Sequence, residues 1–189
     1  MMYNFDLGYC QGMSDIASVL VQTLNDEVEA FYCFVGFMNR IHSNFDLNQY
    51  GMKKQLAQLR TILQFLDHDL CAFLEQKDSL NMYFCFRWIL IWFKREFQFE
   101  EIKILWEILW TGKPCENFHL LIAAGILLKN KKQIMQNDLS FTEILKFVNN
   151  LSEELNVFEI VQVGNAIFDL ISNLQKQNLP NSITSILFP

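Results

Sequence analysis

Apolar residues recur along this chain at intervals of three and four and rarely alternate, which is the period of helices and not of strands. Met52, Leu56, Leu59, Leu63 and Leu66 mark one side of a helix over about 51–66. Phe141, Ile144, Leu145, Val148 and Leu151 mark another. That second stripe starts at Ser140-Phe141-Thr142-Glu143, which fits a capping box, with Leu139 and Ile144 placed as a hydrophobic staple. Asn156 with Glu159, flanked by Leu155 and Ile160, repeats the device and predicts a helix reaching about 176, shortly before Pro180. Further helices are predicted over about 12–24, 27–44, 68–76, 81–96, 99–111 and 116–129, the last extending toward 136, with a short one over 181–187. Asp26 is the expected N-cap of 27–44, whose apolar positions include Val28, Phe31, Tyr32, Val35 and Met38. Gly112-Lys113-Pro114 signals a turn.

Two runs, 82–93 and 118–128, are apolar enough to suggest membrane spans but too short, because a span needs about 20 residues. Both are expected to be buried core helices, with Trp88 and Trp106 inside. The composition agrees: 51% of the 189 residues are hydrophobic, with 18 Phe and 4 Trp but only 3 Pro and 7 Gly. So few turn-formers argue against a β-sandwich and for an all-α protein. The formal net charge of −6 weighs against nucleic-acid binding, which needs a basic face. The one dense basic cluster, Lys129, Lys131 and Lys132, is expected to be a solvated helix end. The five cysteines, Cys10, Cys33, Cys71, Cys85 and Cys115, form no C-x-x-C pair, and Cys33, Cys71 and Cys85 lie in apolar runs. Reduced, buried thiols in a cytoplasmic protein without a secretion signal or transmembrane segment are expected.

No phosphate loop, dinucleotide fingerprint, nucleophile elbow or H-E-x-x-H string is present, so no cofactor and no metal are expected. Asp67-His68-Asp69 reads as a helix start, because a single histidine between acids that diverge on a helix chelates poorly. His119, beside Phe118 and Leu120, reads as a packed histidine. The unusual segment is Asp6-Leu7-Gly8-Tyr9-Cys10-Gln11-Gly12-Met13-Ser14-Asp15, where a glutamine stands between two glycines just before a helix. Glycine permits tight turns and close backbone approach, and a glutamine amide can both donate and accept, so it can orient a water.

Tyr9-x-Gln11-Gly12-Met13 resembles the Y-x-Q-G-M motif of TBC domains, the GTPase-activating modules that act on Rab GTPases. Ala30-Phe31-Tyr32-Cys33-Phe34, Phe84-Cys85-Phe86-Arg87-Trp88, Phe93-Lys94-Arg95-Glu96-Phe97 and Leu105-Trp106-Glu107 with Trp110, Pro114 and Phe118 follow in the family's order. The detail most resembles the subgroup that contains family members 15 and 17. The resemblance covers about residues 3–175 and implies a multi-helix TBC domain, here its C-terminal part, truncated at the N-terminus, with 176–189 as a short tail. It implies an enzyme activator and not an enzyme. Gln11 would be the glutamine finger that orients the attacking water, Tyr9 would fix the loop, and Gly12 would allow close approach. Arg87, Trp88, Arg95 and Trp106 would be scaffold, with Arg87 paired internally. The family's arginine finger belongs to an upstream I-x-x-D-x-x-R string, and no such string occurs here. Apolar surface left uncovered, weak activity of the chain alone, and a cytoplasmic location with peripheral recruitment to endomembranes through partners are the corresponding expectations. The alternative is a non-catalytic module that binds a Rab or an effector.

Overall fold

Helices start in this chain where side chains can satisfy the first free backbone N–H groups. Asp26 accepts from Glu29 N–H at 2.9 Å, and Asp67 accepts from Leu70 N–H at 2.9 Å. At Ser140, both the backbone N–H (2.9 Å) and the hydroxyl (2.6 Å) reach Glu143 Oε2. The computed structural model describes residues 8–152, 154–175 and 179–188. Within them run eleven α-helices and no strand: α1 (Met13–Thr23), α2 (Glu27–Ile41), α3 (Tyr50–Leu66), α4 (His68–Gln76), α5 (Phe86–Leu90), α6 (Phe99–Trp110), α7 (Phe118–Lys129), α8 (Lys131–Gln136), α9 (Phe141–Asn150), α10 (Val157–Gln175) and α11 (Asn181–Leu187). The second predicted capping box is only half made. Asn156 accepts from Glu159 N–H at 3.0 Å, but the Glu159 carboxylate turns to Lys129 Nζ at 2.6 Å.

The centre is α7, buried along its whole length from Phe118 to Leu127. α10 lies against it through two glycines. A Cβ on Gly125 would stand 2.9 Å from Val163 Cγ1, and one on Gly164 would stand 3.0 Å from Ile122 and from the Phe118 ring. α10 is also the one described helix long and apolar enough to pass for a membrane span by length and composition, a candidate that the shorter runs at 82–93 and 118–128 had masked. Here its inner side packs on α6 and α7. α11, in the stretch expected as a tail, docks by Ile183, Ile186 and Leu187, and Asn117 Nδ2 donates to the Ile186 carbonyl at 2.7 Å.

Three expectations need correction. The helix predicted over 81–96 is short. A 3-10 turn at Tyr83–Cys85 leads into α5, which ends at Leu90. Trp92 (φ 45) and Phe93 (φ 62) then take left-handed backbone. Bulky residues adopt that conformation at a cost of about 1–2 kcal/mol each. The reversal is held by Phe93 N–H donating to the Trp88 carbonyl (2.8 Å) and Trp106 Nε1 donating to the Trp92 carbonyl (2.8 Å). Arg95 therefore lies in a turn and not in a helix. The second correction concerns α2, which buries Ala30, Phe37, Met38 and Ile41, whereas Val28, Phe31 and Tyr32 face solvent. Third, Cys33 is exposed, and Cys10 is half-buried. Between α1, α2 and α6 runs an apolar groove of about 380 Å³, walled by Leu20, Cys33, Phe37, Trp106 and Trp110.

The readings of the two tryptophans, of Asp67 and of His119 match the structure. Trp88 and Trp106 are buried. Asp67 caps α4 and also binds Lys131 Nζ at 2.7 Å. With Lys129 paired to Glu159, most of the basic cluster is neutralised. His119 is a core histidine that stacks on Trp92 and bonds Gln55 Oε1 through Nε2 at 2.8 Å. Gln55 passes the network on to Asn44 at 2.6 Å, and Asn44 donates to the Ile89 carbonyl at 3.1 Å.

Two outcomes follow. Burial pulls the His119 pKa from 6.5 down to about 4. The unfolded chain thus binds a proton that the folded chain refuses, and stability is lost as pH falls from about 6.5 toward 4. The full effect is about 3 kcal/mol, read from urea unfolding between pH 7 and pH 4. Glu96, whose pKa moves up through burial, works in the opposite sense, so the slope of His119→Gln, expected to be shallower, isolates the histidine. For Gly164→Ala, helix propensity favours alanine by about 1 kcal/mol, but overpacking against Phe118 and Ile122 costs about 1–3 kcal/mol. A net loss of up to about 2 kcal/mol in urea unfolding is expected.

Candidate functional site

Gly8 and Gly12 both have positive φ, 62° and 106°, and they fold the segment between them into a loop capped by the start of α1. Gly12 is the N-cap residue of α1. A Cβ there would lie 2.9 Å from Ile91 Cγ2 and 3.5 Å from both Leu90 Cδ2 and Phe45 Cε1, so the loop sits directly on the 90–91 corner. Cys10 secures the near side: its N–H donates to Met13 Sδ at 3.3 Å and its thiol to the Phe45 carbonyl at 3.8 Å. Tyr9 Oη meets Ser14 Oγ at 3.1 Å, which ties the loop to the first turn of α1, while the ring stays 55% exposed. Gln11 points outward. It is exposed, and its amide makes no hydrogen bond among the described residues.

The loop is braced by charge as well as by packing. Arg95 binds Asp15 with both arms, Nε–Oδ1 2.8 Å and Nη2–Oδ2 3.0 Å. The bond to Asp15 raises the Arg95 pKa, and with the arginine side chain 47% exposed the pair contributes less to stability than a dry pair would. The Ser152 hydroxyl donates to the Arg95 carbonyl. One residue further, Glu96 has no exposed surface and takes both Nε and Nη2 of Arg87 at 2.8 Å. Burial pushes the Glu96 carboxyl above its ordinary range, against the pull of Arg87. The Trp88 indole N–H acts on this carboxylate electrostatically without hydrogen-bond geometry.

The family model of the Rab-GTPase-TBC domain matches residues 1–135, a span that includes the loop, its brace and the core helix α7. The chain belongs to this family. Among curated relatives, TBC1 domain family member 17 of Mus musculus is 45% identical over 186 residues, covering 98% of the chain and 28% of the relative. GTPase-activating protein GYP7 of Debaryomyces hansenii is 42% identical over 166 residues, covering 88% and 22%. The match to member 17 agrees with the expected subgroup. The chain spans about a quarter of the length of these relatives. Among solved structures, the Ypt/Rab-GAP domain of Gyp1p shares the fold, with a TM-score of 0.73 and 22% identity over 88% of the chain and 60% of that domain.

Within this TBC chain the three site residues named from the sequence lie on one loop. Tyr9 and Gln11 face solvent, whereas Gly12 is buried and its close contact is with the protein's own Ile91. Sequence reasoning missed Asp15 as the partner of Arg95 and Phe45 as the floor of the loop. An acidic residue in the first turn of α1 and an aromatic closing the segment after α2 were the available signals, but nothing local links them to the loop. No cluster of metal-ligating side chains occurs among the described residues.

Gly12→Ala combines a forbidden backbone conformation with a clash against Ile91. It is expected to cost about 2 kcal/mol or more in urea unfolding. Gly8→Ala, whose Cβ meets nothing within 4 Å, should cost less.

Proposed function

We propose that this chain supplies the glutamine half of a Rab GTPase-activating site: Gln11 enters the nucleotide pocket of a Rab GTPase and orients the attacking water. The observation that carries the reading is an exposed, unbonded amide between Tyr9, Cys10 and Gly12, which are tied to Ser14, Phe45 and Ile91. A side chain that must act on a partner's substrate gains from having no competing bond at home and from a backbone that does not move. Tyr9, bonded to Ser14, and Gly12, seated on Ile91, act as loop-positioning residues. The relatives' names as GTPase-activating proteins and as TBC1 domain family members support the partner class. The protein acts in trans and is not itself an enzyme, needs no cofactor, and works from the cytoplasm, recruited to vesicle membranes through its partners.

Hydrolysis also needs positive charge on the transferring phosphoryl group, and a neutral amide supplies none. Of the chain's four arginines, Arg87 is bound to Glu96, Arg95 to Asp15 and Arg40 Nη1 to the Trp110 carbonyl at 3.0 Å, while Arg60 is exposed on α3. None matches I-x-x-D-x-x-R. A second reading of these 189 residues is a Rab- or effector-binding module that does not accelerate hydrolysis.

Single-turnover GTP hydrolysis on a Rab panel separates the two. The 189 residues alone are expected to accelerate little. Joined to an upstream segment carrying I-x-x-D-x-x-R, they should gain roughly 10³–10⁵-fold. In that longer chain Gln11→Ala should lose on the order of 10²-fold in kcat. Full acceleration by the short chain would overturn the two-residue division, and no gain from the joined segment would leave the binding module.

A further inference from the structure

The segment that floors the glutamine loop continues into a turn tied by its own hydrogen bonds. Gln49 N–H donates to the Asp46 carbonyl at 2.8 Å, and Tyr50 N–H donates to Asn48 Oδ1 at 2.8 Å. Lys53 Nζ closes on the Asn48 carbonyl at 3.3 Å. The turn is clamped at both ends. Phe45 is buried before it, and after it Gly51 abuts the Ser43 backbone so closely that no side chain fits. Despite this, Leu47 is 91% exposed and Tyr50 67% exposed.

A lone exposed leucine is ordinary. Here two large side chains are exposed on one turn, and a third is exposed on the loop tied to that turn through Phe45. The third is Tyr9, at 55% exposure. The two loops are one body, because the Cys10 thiol donates to the Phe45 carbonyl and Gly12 rests on the Phe45 ring. Leu47 is two residues from Phe45, so their Cα atoms are separated by at most about 8 Å.

We propose that Tyr9, Leu47 and Tyr50 form the docking surface for the GTPase that receives Gln11. The proposal rests on the reading of Gln11 given above. Gln11 can reach a nucleotide held by another protein only when that protein lies over the loop. A stable interface covers roughly 800 Å² on each partner, a disc about 16 Å in radius, which takes in the 46–50 turn. Tyrosines, with an apolar ring and a polar tip, are among the residues that carry binding energy at such contacts. The partner's face beside its nucleotide accordingly offers an apolar cleft to Leu47, and the orientation of the two proteins is set by this cleft before the amide engages.

Binding of the 189-residue chain to a panel of Rab GTPases, each loaded with GTPγS, tests this by biolayer interferometry. The double variant Leu47→Ser, Tyr50→Ser alters only exposed positions, and its circular dichroism is expected to match the parent. Its Kd is expected to rise about tenfold, while Leu170→Ser, an exposed leucine on α10, leaves Kd unchanged. A change below threefold in the double variant overturns the docking surface and leaves the role of Gln11 standing. Equal weakening by Leu170→Ser overturns it as well, since the effect would then be general stickiness. Failure of the parent to bind any Rab in the panel removes both the docking surface and the reading it rests on.

Discussion

Glu96 is a carboxylate with no solvent, and both arms of Arg87, nine residues earlier, neutralise it. That pair closes the chain into the reversal after α5. A buried charge left alone is costly, so the reversal cannot open without exposing or orphaning Glu96. The left-handed Trp92 and Phe93 are tolerated because the same closure places the Trp92 carbonyl on Trp106 and seals Phe93 in the core. Everything at the glutamine loop stands on this corner: Ile91 and Leu90 carry Gly12, and Arg95, next to Glu96, holds Asp15.

A chain of contacts thus joins chemistry to core. The core helix α7 places His119 against Trp92, the same residue whose carbonyl Trp106 fixes. The polar side of that histidine runs through Gln55 to Asn44 and the Ile89 carbonyl, inside α5. A short helix bonded at one end by a buried network and at the other by an ion pair is a stiff seat for a loop that has few bonds of its own.

How much of this was legible depended on whether the deciding interaction was local. The starts at Asp26, Asp67 and Ser140 were readable because a cap and its partner lie within three residues. The break in 81–96 was not, because its causes are a tryptophan fourteen residues downstream and a carboxylate that folds back on its own arginine. Glu159 matched a capping box until Lys129, distant in sequence, outbid the local backbone. The face of α2 was misjudged because that helix is apolar on several sides, and periodicity cannot choose among them; only the neighbours α1 and α6 decide. At the site, family motifs located Tyr9, Gln11 and Gly12, but the division between two outward side chains and one buried hinge was a matter of packing.

The misplaced face of α2 also divides the thiols by rate. Burial pushes Cys71 and Cys115 up to about 11 and Cys85 well above the ordinary range, so these three stay protonated and shielded, and are poor nucleophiles. Cys33 is open to solvent on the wall of the apolar groove, beside Phe37 and Trp106. Alkylating reagents and oxidants therefore meet this cysteine ahead of the core thiols. A fluorophore attached there would sit within the groove's own aromatic wall, making Cys33 a ready optical address for whatever comes to lie along α2.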